Sequence, residues 1–239
     1  MLALLRNRHR EPALVNDHPY YVISLRGPVE IPGVRVRDRT PWRFVPRLDV
    51  WNKVPRFDIG VVTSPFAAEL VAQNAGSLLS LRTWVVPGQG TLRALGGFGV
   101  APTGTAQTAE GMLALPELTN IEGRRVAIFT APGGRGLLQG ELARRGAFVK
   151  EIFVYDREIV PVKPLPAGGG GGVLWVTSYG AYRAIASQLD VVSLPVVVSS
   201  ERLGALLRAA GHERVILAGG PSVADLASVL AHPELTELG

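Results

Sequence analysis

Val61-Val62-Thr63-Ser64-Pro65-Phe66-Ala67-Ala68-Glu69-Leu70 and Trp175-Val176-Thr177-Ser178-Tyr179-Gly180-Ala181-Tyr182-Arg183-Ala184 are two versions of one pattern. Each is an apolar run that ends in Thr-Ser and passes into a helical spacing, as a buried strand does when it hands over to a capped helix. Pro65 strengthens the first copy, because proline is preorganised for the first helical position. The likeness continues downstream. Thr108-Ala109-Glu110-Gly111-Met112-Leu113 answers Ser222-Val223-Ala224-Asp225-Leu226-Ala227, and Ser64 stands as far from Thr108 as Ser178 does from Ser222. Between them lie Val85-Val86 with a Gly-rich turn and Val196-Val197-Val198 with Ser199-Ser200, each opening a helix that stops at Gly. A duplicated strand–polar turn–helix unit predicts an α/β fold. It has two similar lobes, parallel sheets flanked by helices, and a cleft between the lobes.

The remaining elements follow from periodicity and punctuation. Tyr20 to Arg26 reads as a first strand, and Pro28, Pro32 and Gly33 leave no room for a helix after it. Pro41 to Pro46 is an extended piece bracketed by prolines. Residues 57–64, 81–86 and 123–129 read as strands, and helices run from Thr91 to Gly96-Gly97 and from Leu137 to Arg145, with Gly146 as terminator. Residues 148–155 form one extended run. The second half gives strands at 173–178, 196–199 and 214–218, with helices to about Leu189, to Ala210 and from Ser222 to Leu230. Lacking a helix of its own, the first strand is assigned to the C-terminal half. The expected organisation is therefore a flexible extension over 1–18, one discontinuous lobe of 19–40 plus 161–239, and a second of 48–150. Residues 41–47 and 151–160 then form a two-stranded ladder joining the lobes, a hinge across the cleft. Pro161 to Gly172, with three prolines and five consecutive glycines, reads as a flexible loop. No Gly-Lys-Ser/Thr follows it, so it is not a phosphate-binding loop.

Bulk properties narrow the function. With 239 residues, 47% of them hydrophobic, each lobe can bury its own core. No apolar run of about eighteen residues spans a membrane, and a chain without cysteine fits the cytoplasm. The formal charge of +5 points to an acidic partner or to solvated charge that serves solubility. Nucleic acid is disfavoured, because the basic residues are scattered outside Arg35-Val36-Arg37-Asp38-Arg39 and no DNA- or RNA-binding motif accompanies them. A small polycarboxylate or phosphate ligand explains the charge as well. His9, His18, His212 and His232 lack ligand spacing, so no metal site is expected. Neither a nucleophile elbow nor a dinucleotide fingerprint is present.

Taken in order, these segments resemble the uroporphyrinogen-III synthase family, the cofactor-free enzymes that close the tetrapyrrole ring on the way to haem. The matching pieces in the first half are residues 61–68, Pro-Gly-Gln-Gly-Thr at 87–91 and Thr-Ala-Glu-Gly-Met-Leu-Ala-Leu-Pro-Glu-Leu at 108–118. They continue with Ala-Pro-Gly-Gly-Arg-Gly-Leu-Leu at 131–138, residues 144–149 and Val-Tyr-Asp-Arg at 154–157. The last are Val-Thr-Ser-Tyr-Gly-Ala at 176–181, Ser-Ser-Glu-Arg-Leu at 199–203 and Ala-Gly-Gly-Pro-Ser at 218–222. The resemblance implies two lobes on a two-stranded ladder, a monomer, and a polycarboxylate substrate, hydroxymethylbilane, with an acetate and a propionate on every pyrrole. It implies loss of the terminal hydroxyl to an azafulvene, then ring closure through a spiro intermediate with the last pyrrole inverted. Three departures stand out, one of them the abbreviated segment Leu48–Phe57 before the Thr-Ser strand. The chain lacks the helix usual after the first strand, and it has Ser199-Ser200-Glu201-Arg202 where many members have Gly-Pro-x-Thr. Readings from other classes are a two-lobe anion-binding protein and an inactive family member.

Catalysis of such a closure is selection of one folded substrate shape more than supply of a strong reagent. Backbone N–H groups, hydroxyls and fixed cations at strand-to-helix turns suit that task. The candidates for substrate binding are Thr63 and Ser64, Gly88 and Thr91, Gly133, Gly134 and Arg135, Thr177 and Ser178, and Ser199, Ser200 and Arg202. Ser64 and Ser178 serve equally as plain N-caps, the Gly133-Gly134-Arg135 run as a tight turn, and Arg202 as a surface residue. Tyr155 is the candidate assisting acid, since a phenol donates a proton to a departing hydroxyl without being ionised at neutral pH.

Overall fold

The computed structural model describes residues 21–76, 79, 82–103, 108–134, 136–165 and 172–231. Residues 1–18, Arg135 and most of the glycine run at 168–172 lie outside them, so the expectations placed there carry no structural account. The chain divides into two compact units, one made of residues 1–42 with 159–239 and the other of 43–158.

In the first unit five strands form one sheet. They are β1 (Tyr21–Ser24), β2 (Arg35–Asp38), β9 (Gly172–Val176), β10 (Val196–Val198) and β11 (Val215–Leu217), in the order β11-β10-β9-β1-β2. Every pairing is parallel. β1 and β9 are buried along their whole length and, Ser24 apart, read as apolar runs, as strands covered on both faces do. Helices α5 (Tyr179–Ala186) and α6 (Glu201–Ala209) cover one face through Tyr182, Ile185, Leu203 and Leu207. Helix α7 (Val223–Leu230) covers the other through Leu226 and Leu230. The turn segment after β1 completes that second face: Ile31 and Val34 are buried in the same cluster, and the Val34 N–H donates to the Ile31 carbonyl at 3.1 Å. A short knot of apolar side chains thus stands where a helix is usual.

β2 is an element that the sequence reading did not foresee. The basic run Arg35-Val36-Arg37-Asp38 has no apolar face long enough to signal a strand. As the edge strand of the sheet it needs only one side paired, and its exposed charges discourage further strand addition.

The second unit holds the sheet β5-β4-β6-β7, built from β4 (Ile59–Val62), β5 (Thr83–Val85), β6 (Arg125–Thr130) and β7 (Phe148–Phe153), again all parallel. One face is packed by α1 (Pro65–Asn74) and α2 (Gln89–Ala94), with the 3-10 turn Leu48–Lys53 beside them. The other is packed by α3 (Ala109–Leu113) and α4 (Leu137–Arg144) through Met112, Leu113 and Leu142. Gly60 in β4 has a steric reason: a Cβ there would meet the Trp84 ring at 2.4 Å.

The extended run at 148–155 is two strands rather than one. β7 ends at Phe153, and β8 (Tyr155–Ile159) pairs instead with β3 (Trp42–Pro46) in a separate two-stranded sheet. Val154 is the pivot. Its N–H donates to the Thr130 carbonyl at 2.9 Å and its carbonyl accepts from the Arg47 N–H at 2.9 Å. Period-2 alternation shows no seam at this point, because the switch changes the strand's partner without changing its extended backbone. Arg47 then forks both carboxylate oxygens of Asp156 at 2.6 and 2.7 Å. That hydrogen-bonded pair holds the Asp156 carboxyl below its ordinary range.

Candidate functional site

A parallel sheet brings all its strand exits to one edge, and in α/β folds that carboxyl edge is where ligands bind. In the second unit the exits deliver Thr63-Ser64 after β4, Val86-Pro87-Gly88 after β5, Ala131-Pro132-Gly133-Gly134 after β6 and Val154-Tyr155 after β7. In the first unit they deliver Leu25-Arg26, Thr177-Ser178, Ser199-Ser200 and Ala218-Gly219-Gly220. Thr63, Ser64, Gly88, Gly133, Gly134 and Tyr155 therefore lie at one sheet edge and Thr177, Ser178, Ser199 and Ser200 at the other, while Thr91 and Arg202 lie within the helices that follow.

The repeated Ser/Thr positions of the sequence are all helix caps. Ser64, Thr108, Ser178 and Ser222 accept hydrogen bonds from the N–H groups of Ala67, Gly111, Ala181 and Asp225 respectively. Ser200 does the same for Leu203. A β-region backbone at each cap turns its oxygen back over the first helical turn, satisfying an otherwise orphaned donor. Ser222 belongs to a full capping box with Asp225, so the start of α7 already carries its own carboxylate.

Ser64 does more than cap. Its Oγ lies 3.2 Å from the phenol oxygen of Tyr155, a residue only 2% exposed. The Tyr155 ring is wedged edge-on between Phe44 and Phe66, with centroids 5.3 and 5.1 Å away, which fixes where its hydroxyl points. An N–H of Arg157 donates to that oxygen at 3.5 Å, and the guanidinium also lies over the ring, its Cζ 5.7 Å from the centroid. A second Arg157 N–H reaches the Pro132 carbonyl at 3.4 Å. Arginine can only donate, so the phenol keeps its own proton for Ser64 or for a ligand. Beside this group the Thr63 hydroxyl is tied to the Thr130 hydroxyl at 2.8 Å, locking the exits of β4 and β6 together.

The other candidates differ in accessibility. Gly88 is buried and Thr91, inside α2, is only 4% exposed, whereas Gly133 and Gly134 are open. Ser199 and Thr177 sit on adjacent exits, with the Ser199 N–H on the Val176 carbonyl at 3.3 Å. Arg202 is exposed in the first turn of α6.

Two arginines escaped the sequence reading. Arg157 was legible in principle, because Tyr155 and Arg157 stand two apart on one strand and share a face. Arg26, just past β1, carried no pattern at all. Its guanidinium lies over the Trp175 ring with Cζ 5.1 Å from the centroid, and one N–H donates to the Pro221 carbonyl. Among the described residues no group of three His, Asp or Glu is placed to hold a metal, and no helix is long and apolar enough to cross a membrane.

The family model for uroporphyrinogen-III synthase HemD matches residues 26–228. The chain belongs to the uroporphyrinogen-III synthase family. A curated uroporphyrinogen-III synthase of Proteus mirabilis is 45% identical over 51 residues, a match spanning 21% of this chain and 26% of that relative's length. The solved uroporphyrinogen-III synthetase of Helicobacter pylori superposes with a TM-score of 0.61 at 14% identity, covering 88% of this chain and 97% of that one. A mutant uroporphyrinogen III synthase of Thermus thermophilus gives 0.56 at 14% identity, covering 86% of this chain and 90% of the other. At such identity these likenesses speak for the fold, two lobes of parallel sheet flanked by helices.

Proposed function

We propose that this protein cyclises hydroxymethylbilane to the type III uroporphyrinogen, inverting the last pyrrole ring. Family membership supports the reaction class. The observation that carries the reading to the chemistry is the Tyr155 hydroxyl, held 3.2 Å from Ser64 at a sheet's carboxyl edge.

In this reading the Tyr155 proton goes to the departing hydroxyl of the linear tetrapyrrole, which leaves as water and generates the azafulvene electrophile. Arg157, donating to the phenol oxygen, stands where negative charge develops as that proton departs. The substituted carbon of the last ring then attacks, the spiro intermediate fragments and recloses, and the proton released as the pyrrole regains aromaticity restores the phenol. The remaining task is conformational. Each sheet's carboxyl edge has groups suited to substrate carboxylates: Ser64, Gly133 and Gly134 in the second unit, and Thr177, Ser178, Ser199, Ser200 and Arg202 in the first. Thr63, Gly88 and Thr91 act from beneath, shaping the turns that carry those groups.

Incubation of the purified chain with freshly prepared hydroxymethylbilane tests the proposal. The expected product is predominantly the III isomer, formed faster than the unrearranged isomer appears without protein. A product made only of the unrearranged isomer at the uncatalysed rate sinks it, and leaves an anion-binding or inactive member. We extend the reading to a cytoplasmic monomer that needs no cofactor. Sedimentation of the purified chain, and activity after exhaustive dialysis against a chelator, check that extension.

A further inference from the structure

Ser24 is fully buried at the end of β1, yet it is polar, and its hydroxyl is spent on shaping the next turn. Its Oγ donates to the Gly27 carbonyl at 2.8 Å and accepts from the Arg26 N–H at 3.4 Å. Gly27 sits at φ 104°, a conformation that disfavours any side chain. This tight turn aims Arg26 along the carboxyl edge of the first unit's sheet. The register pairs Ser24 with Trp175 on the neighbouring strand β9, and the Arg26 guanidinium lies over that indole. Trp175 is only 1% exposed, so the arginine forms part of its cover. One N–H of Arg26 is fixed on the Pro221 carbonyl, in the turn before α7.

A guanidinium has five N–H donors and no acceptor. Among the described residues the Pro221 carbonyl is the one hydrogen-bond acceptor of the Arg26 guanidinium and no carboxylate pairs with it, and the residue is exposed. By contrast, Arg43, Arg47, Arg125, Arg144 and Arg145, also among the described residues, each face an Asp or Glu. Stacking on an aromatic face also limits the rotamers that an arginine loses when it closes on a planar anion.

We propose that Arg26 clamps one carboxylate of the linear tetrapyrrole acid against the carboxyl edge of the first unit's sheet, with Ser24 and Trp175 as its positioning residues. The inference rests on the synthase reading above and adds to it a specific substrate contact.

The test compares the full chain with Arg26→Gln, Arg26→Lys and Arg35→Gln in steady-state turnover of hydroxymethylbilane at low and moderate salt. Loss of a charge-assisted contact raises the KM of Arg26→Gln roughly tenfold with kcat within about twofold. Arg26→Lys keeps the charge without the fork and falls between, at about threefold. Arg35→Gln, an exposed charge on the edge strand, behaves as wild type. Wild-type KM also climbs more steeply with salt than that of Arg26→Gln. An unchanged KM in Arg26→Gln overturns the inference, as does a fall in kcat at constant KM in both variants. If Arg26→Gln fails to fold by circular dichroism, Arg26→Lys decides alone, and an unchanged KM there overturns the inference. A wild-type chain that makes no III isomer removes the synthase reading and this contact with it. A wild-type chain that makes the III isomer beside an Arg26→Gln of equal KM removes only the contact.

Discussion

Ser64 and Ser178 occupy the same place in two similar units, and their surroundings differ. Both cap a helix at a strand exit, accepting from Ala67 and Ala181. Ser64 has in addition a phenol at 3.2 Å, brought by a strand that leaves its own sheet at Val154. Ser178 has no second side-chain partner among the described residues. The polar feature of its edge is Arg26 over Trp175, offset along the sheet from the cap. The two units thus share a strand–cap–helix pattern, and among the described residues only the cap in residues 43–158 has a phenol beside it. A shared cap therefore says little about shared chemistry.

The comparison breaks first at Tyr155. Its change to Phe should lower kcat about 100-fold, the lower end of what a positioned acid contributes, while leaving the ring packing with Phe44 and Phe66 in place. Retention of the full rate in a stopped assay of hydroxymethylbilane turnover removes Tyr155 from the chemistry. A second, steric test concerns stability. Gly60→Ala forces a methyl into the Trp84 ring and should cost about 1–3 kcal/mol in urea unfolding. That loss belongs to the second unit, so near-ultraviolet signals of the two units should separate.

The two caps give the sharper contrast at smaller scale. Ser64→Ala and Ser178→Ala should each cost about 1 kcal/mol, because each removes one cap hydrogen bond. Only Ser64→Ala should also depress kcat severalfold, since only that oxygen meets the phenol. Equal catalytic effects from both would restore the symmetry and undo the argument.

The smallest expected effect is a pH dependence confined to the first unit. His212 is 3% exposed, with Nδ1 donating to the Leu194 carbonyl at 3.1 Å and Nε2 accepting from the Tyr182 hydroxyl at 3.1 Å. The carbonyl can only accept, which fixes the tautomer. Burial pushes the His212 pKa below its ordinary value, and burial likewise raises that of Tyr182. A base whose folded pKa is depressed binds fewer protons folded than unfolded. Its stabilisation is therefore complete above about pH 6.5 and declines as pH falls below that value toward the folded pKa. Thermal melts between pH 7.5 and 5 should show the first unit losing stability before the second. His212→Gln should flatten that difference.

The elements nearest to a cap were the ones most legible in the sequence. The Thr-Ser exits, Pro65 and the glycine stops placed β4, α1, β9 and α5 within a few residues, because these are local signals a few residues long. β2 was not legible, since an edge strand carrying Arg35 and Arg37 has no buried face to betray it. Nor was the seam at Val154, where β7 and β8 join different sheets without any break in extended backbone. At the site, the sequence marked Ser64 and Tyr155 separately. The contact between them depends on chain segments far apart in sequence.

By itself, then, the amino-acid order determined the two-fold strand–cap–helix pattern, the α/β class and the family, because caps, periodicity and spacing act between near neighbours. It also assigned the first strand to the C-terminal half; tertiary structure decided that β9 and β2 are its neighbours there, that Arg26 rests on Trp175, and that Tyr155 reaches Ser64. Those are contacts between distant segments, and they exist only once burial of the sheet faces has fixed which strand neighbours which.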